Sequence, residues 1–156
     1  MRTVYKVLAY LVAAEVVVQA AAMVYAIAGL GKWVDGGGVF DKSVMESDAS
    51  PFPEITGIIV HGINGSIVIP VLALALLVVS FFTKLPGAVK AAVLVLVLVA
   101  VQANLGFAGH EIPALGALHG VNALLLFSAS VYAARRERAA RASAPASERS
   151  DVAAPI

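Results

Sequence analysis

Four apolar runs dominate this 156-residue sequence, each near or above the roughly 18 to 20 residues with which an α-helix crosses a hydrocarbon core of about 30 Å. Sixty per cent of the residues are hydrophobic, 13% are charged and the mean hydropathy is +0.91, which excludes an ordinary soluble domain. The runs predict an all-α, four-helix transmembrane bundle over residues 1–135. Its helices are expected at about 5–31, 54–82, 88–109 and 112–134, with a loop at 32–53. The first run has the basic start of a signal peptide, but it is too long for an apolar region of about 7 to 15 residues and carries Glu15 and Gln19. It reads as a retained span. Pro70 predicts a kink in the second helix, whereas Pro113 falls in a first turn, where a missing N–H is harmless.

Lys and Arg beside short loops are retained in the cytoplasm. Nine of the eleven fall on one side: Arg2, Lys6, Lys84, Lys90, Arg135, Arg136, Arg138, Arg141 and Arg149, against Lys32 and Lys42. Both termini are therefore expected in the cytoplasm of a bacterium, the protein sitting in its inner membrane. The 32–53 loop, with Gly36-Gly37-Gly38 and Pro51-Phe52-Pro53, then faces outward and is long enough to cap the bundle. Residues 136–156, rich in Ala, Ser, Arg and Glu and without apolar periodicity, read as a disordered cytoplasmic tail.

A repeat places the polar residues. His61-Gly62-Ile63-Asn64 in the second run recurs as His119-Gly120-Val121-Asn122 in the fourth, and Val18-Gln19-Ala20 in the first is echoed by Val101-Gln102-Ala103 in the third. Two copies of a helix pair, each a Gln helix followed by a His helix, are expected to be related by an axis along the membrane normal. His61 lies eight residues after Pro53 and His119 six after Pro113. Both are therefore roughly 9 to 12 Å below the outer helix ends at 1.5 Å per residue. In each copy His and Asn at i and i+3 share a face, flanked by the small residues Gly62 and Gly65 or Gly116 and Gly120.

Ionisable groups within a bilayer are costly and mark functional candidates. With no cysteine there is no disulfide, thiolate metal site, Cys-linked haem or iron–sulfur cluster. Two imidazoles on opposed helices can supply both axial ligands of a b-type haem. His61 and His119 are the candidate ligands, with Asn64, Asn122, Gln19 and Gln102 orienting the rings or bonding the haem edge. The same residues also suit a cofactor-free layer of interhelical hydrogen bonds, His to Gln and Asn to Asn. A zinc or copper site from His61, His119 and the loop residue His110 is a further option. His110 and Glu111 otherwise read as a solvated loop. Glu15 reads as a proton-handling carboxylate or as a hydrogen-bonding partner of a facing helix. No nucleophile–base pair, phosphate loop or nucleic-acid patch is present, so the chain carries no catalytic motif of its own.

The string Leu115-Gly116-Ala117-Leu118-His119-Gly120-Val121-Asn122-Ala123, with the Gln and His residues of the earlier helices, resembles a family of small four-helix membrane proteins of unknown function common in actinobacteria. The resemblance covers roughly Val4 to Arg136. In layout the chain is also similar to half of a haem A synthase or another membrane b-type cytochrome, which implies axial ligation by His61 and His119. It lacks the acidic motif on the first helix associated with catalysis in haem A synthase, so haem A synthesis is not implied. Three functions follow as expectations. The first is a haem-b-binding electron-transfer protein facing quinol or another redox partner. The second is a cofactor-free subunit packed against other membrane subunits or itself, and the third is a small proton-coupled transporter using Glu15.

Overall fold

The computed structural model describes residues 1–47 and 49–142, and all of its regular elements are helical. Four helices are long and apolar enough to cross a membrane: Arg2–Asp35, Pro53–Ser80, Ala88–Gly109 and Pro113–Arg136. A chain in lipid must satisfy its own backbone groups, and helices do so within each segment. The protein is a multi-pass, all-α membrane bundle.

α1 (Arg2–Asp35) runs four residues beyond its expected end, and a short surface helix, α2 (Lys42–Glu46), interrupts the following loop. The second span opens with a 3-10 turn at Pro53–Ile55, continues as α3 (Thr56–Ile63), widens into a π-turn at Asn64–Val68 and closes as α4 (Ile69–Ser80). The expected Pro70 distortion thus takes a specific form. Pro70 offers no N–H to the preceding turn and its ring crowds that turn's carbonyls, and the helix accommodates this by widening just before it. α5 (Ala88–Gly109) and α6 (Pro113–Ala142) complete the bundle. α6 continues past the expected boundary near Ala134, so residues 136–142 are helical instead of starting a disordered tail. The remainder of that tail, 143–156, lies outside the described residues.

The helices close a ring in up-and-down order. α1 packs on α3, α4 and α6, and α5 packs on α4 and α6. At one end, here the terminal end, the Arg2 guanidinium donates to the Thr83 carbonyl (3.4 Å) and the Tyr5 hydroxyl to the Ala88 carbonyl (3.1 Å). Arg136 donates from Nε and Nη2 to the Pro86 carbonyl (3.0 and 2.6 Å). Gly87, in the left-handed region at φ 72°, leaves room for that guanidinium where a Cβ would collide with it. These contacts bring Arg2, the 83–88 turn and Arg136 together.

The apolar core fills the terminal half: Ala9 and Val12 of α1, Ala73 and Leu76 of α4, Ala92 and Val95 of α5, Leu126 and Ala133 of α6 are buried together. Small side chains here let helix backbones approach closely, which is what drives association where lipid is as apolar as the helix surface. Large apolar residues such as Ile27, Val71 and Leu124 project outward, as a lipid-facing surface requires. Towards the opposite, loop end, the core gives way to buried Asn64 and Asn122 and then to the histidines. There α3 keeps its packing on α1, but no substantial packing joins it to α5 or α6 among the described residues. At that end Phe52 is buried against Trp33, ring centroids 5.7 Å apart, so the 32–53 loop folds back over the end of α1.

Candidate functional site

His61 from α3 and His119 from α6 face each other across the gap between those helices, with ring centroids 6.0 Å apart and planes inclined at 55°. Each ring is anchored on a different partner helix. His61 Nδ1 bonds to the Gln19 carbonyl of α1 at 3.2 Å, and His119 Nδ1 to the Gln102 carbonyl of α5 at 2.9 Å. A carbonyl can only accept, so each Nδ1 is the donor, and in a neutral ring that leaves the lone pair on Nε2. This is the tautomer in which an imidazole ligates a metal through Nε2 while its other nitrogen fixes its orientation.

The glutamines therefore do orient the imidazoles, but through their backbone. Their side chains act elsewhere: Gln19 Nε2 donates to the His61 carbonyl (3.1 Å), making a reciprocal pair between α1 and α3, and Gln102 Oε1 accepts from Asn122 Nδ2 (2.6 Å). Asn122 also donates to the Leu98 carbonyl (3.0 Å), while Asn64 Nδ2 donates to Glu15 Oε2 (2.8 Å). Neither asparagine bonds an imidazole or the other asparagine. They tie the second span to α1 and α6 to α5, below the rings. Glu15 Oε2 thus accepts from Asn64 on the facing helix.

The glycines near the polar layer differ in their surroundings. Gly106 lies against the His119 ring and Gly65 against the Gln19 amide, while a Cβ at Gly62 or Gly120 would meet nothing within 4 Å. Gly116 faces Gly109, so its small size serves the α5–α6 crossing. Gly106 was not among the expected site residues, although its position one turn after Gln102 on the same helix face is the signal that could have found it. Among the described residues no group of three or more His, Cys, Asp or Glu side chains could hold a metal, so His110 does not join His61 and His119. The three-histidine zinc or copper site is not formed. Only the pair of imidazoles remains.

No family model, curated protein or solved structure matches this chain at a significant level.

Proposed function

We propose that this membrane protein holds one metal centre between His61 and His119, and that the centre is the iron of a b-type haem. The observation carrying this reading is the facing pair of Nδ1-anchored rings at 6.0 Å. Two metal–nitrogen bonds of about 2.0 Å each, with half the width of each ring, span about 6 Å, so one metal ion matches the separation. Further support comes from the lack of substantial packing between α3 and α6 among the described residues. A haem b held there supplies one-electron chemistry; the protein's own part is to fix both rings, select Nε2 as ligating atom and exclude water with the apolar core beneath.

The site lies nearer the loop end, and the basic residues Arg2 and Arg136 meet at the terminal end. Retention of cationic flanks in the cytoplasm orients the site towards the outer face of a bacterial inner membrane, with quinol in the bilayer as donor and an outer protein as acceptor. Kinship with the actinobacterial four-helix family is part of the same proposal and rests on the Leu118-His119-x-x-Asn122-Ala123 string with the Gln and His residues of the earlier helices.

The decisive measurement is a dithionite-reduced minus oxidised visible spectrum of the protein in mild detergent, with haem and metals quantified per chain. A low-spin bis-histidine haem b signal near one haem per chain, lost in His61→Ala and His119→Ala, is the expected result. Unchanged haem content in both variants would sink it. A second reading, a cofactor-free accessory subunit, is favoured by one feature: every His, Gln and Asn in the layer already makes an interhelical bond. A colourless, metal-free protein that copurifies with a larger membrane complex would establish it.

A further inference from the structure

The two Gln-His-Asn sets differ at one position, and that difference gathers oxygens without a donor. Gln102 stands 83 residues after Gln19, and the same offset pairs Leu98 with Glu15. In the set built on α5 and α6, Asn122 donates both to the Leu98 carbonyl and to Gln102 Oε1, so the glutamine oxygen is satisfied. In the other set Asn64 is drawn to the Glu15 carboxylate instead. Gln19 Oε1 and Asn64 Oδ1 are left buried with no hydrogen-bond partner, and the Asn64 side chain is only 7% exposed.

Glu15 and Gln19 are one helical turn apart on α1, so the carboxylate and the orphaned Gln19 oxygen share a face. The π-turn also alters the backbone hydrogen bonding of this stretch. The Ile69 N–H bonds to the Asn64 carbonyl and Pro70 has no N–H, which leaves the Gly65 carbonyl without its regular ladder donor. Among the described residues no cation neutralises this cluster, and the one ion pair is Lys42–Glu46 on the surface. The titratable groups of the elements packed on this stretch of α1 are His61 and His119, both with Nδ1 committed to carbonyls. Lys6, Lys84 and Arg136 belong to the terminal end. Unpaired acceptors around a carboxylate within a bilayer are unfavourable unless a positive species joins them, and hard cations take oxygen ligands of this kind.

We propose that Glu15, Gln19 and Asn64 form a binding site for Na⁺, held between the carboxylate and the two unpartnered amide oxygens. The site stands whether or not His61 and His119 hold haem. In the α5–α6 set Leu98 removes the charge, and the amides pair with each other, so only one half of the repeat binds an ion.

The test is infrared difference spectroscopy on the full chain in lipid nanodiscs, with the Glu15 carboxyl bands assigned by their loss in Glu15→Gln and Glu15→Leu. The leucine variant copies the arrangement at Leu98, and elution as a single species checks its fold. One arm replaces choline chloride with NaCl at fixed pH and ionic strength. The other replaces it with KCl under the same conditions. Saturable change with NaCl supports the proposal when Asn64→Leu also moves the half-point by about tenfold; an equal response to KCl and NaCl overturns the assignment to Na⁺. Glu15 bands that respond to neither arm, or that respond identically in Asn64→Leu, overturn it and leave Glu15 a fixed hydrogen-bonding group.

Discussion

Gly106 seats the His119 imidazole: a Cβ at position 106 would stand 3.1 Å from both Cε1 and Nδ1 of the ring. The contact explains how His119 reaches the Gln102 carbonyl, four residues earlier on α5, at 2.9 Å. The ring rests against α5 and uses a carbonyl of that helix, and Gly106 on the next turn leaves it the room to do so. Gly120, adjacent to His119 in sequence, has no such neighbour.

Gly106→Ala is therefore expected to push the ring outward by a few tenths of an ångström and weaken the Nδ1 bond, destabilising the protein by about 1 kcal/mol. Gly120→Ala is expected to lie within about 0.5 kcal/mol of the native protein. Thermal unfolding in detergent compares the two, and ¹⁵N NMR of the imidazole follows the His119 Nδ1–H directly. Equal effects from both variants would contradict this account of the seat.

Asn122→Leu removes two hydrogen bonds and leaves Gln102 Oε1 without its donor. Interhelical bonds in lipid average about 0.6 kcal/mol each, and an orphaned acceptor adds to that, so a loss of about 1 to 2 kcal/mol is expected. Replacing Gln102 by Leu in the same chain should recover part of it, since the orphan disappears. A double-mutant cycle on the unfolding free energy gives the coupling.

Much of this was legible in the residues themselves. Run length and composition specify four spans, and the His-Gly-x-Asn strings bring His61 and His119 to one layer, because i and i+3 spacing fixes a helix face whatever the surroundings. The wiring within the layer was not legible. Side-chain type says that Gln19 can reach a histidine, but the choice between its amide and its carbonyl depends on how closely α1 and α3 approach, and Gly57 sets that distance against the Ala22 carbonyl. The partner of Glu15 was equally hidden, since Asn64 and Asn122 occupy the same place in the His-Gly-x-Asn strings, and their partners depend on what lies opposite them. The end of α6 escaped because Arg135 to Ala142 lacks apolar periodicity, while Ala, Arg and Glu are strong helix formers that prolong a helix already nucleated in the bundle.

Acid should release the surface helix α2 before it affects the bundle. The Ser43 hydroxyl (2.6 Å) and then the Val44 N–H (3.1 Å) donate to the Asp41 carboxylate and hold it below its ordinary value of 3.8. A lowered carboxyl contributes stability that is present above the unfolded value and is lost as pH falls through the folded one. The Val44 amide resonance is expected to be constant at neutral pH and to move below about pH 4, as the helix loses its N-terminal cap. Asp41→Asn should keep most of the cap and abolish the pH dependence; a Val44 resonance that still titrates in that variant would assign the effect to another group.

The position of His61 depends on Gly57, one turn earlier on α3. A Cβ at Gly57 would lie 2.2 Å from the Ala22 carbonyl oxygen and 3.1 Å from the Ala26 Cβ, both on α1. A backbone carbonyl within a helix cannot move aside as a flexible side chain can, so Gly57→Ala must lift α3 from α1. The reciprocal Gln19–His61 bonds span that same interface at 3.1 and 3.2 Å, near the limit at which such bonds retain their strength. Gly57→Ala is expected to destabilise the protein by about 1 to 3 kcal/mol and to speed exchange of the His61 Nδ1 proton. Gly62→Ala, with open space at its Cβ, should leave both unchanged. If Gly57→Ala unfolds at the same temperature as Gly62→Ala and protects the His61 proton equally well, close α1–α3 contact does not set the ring, and the gap between α3 and α6 has another cause.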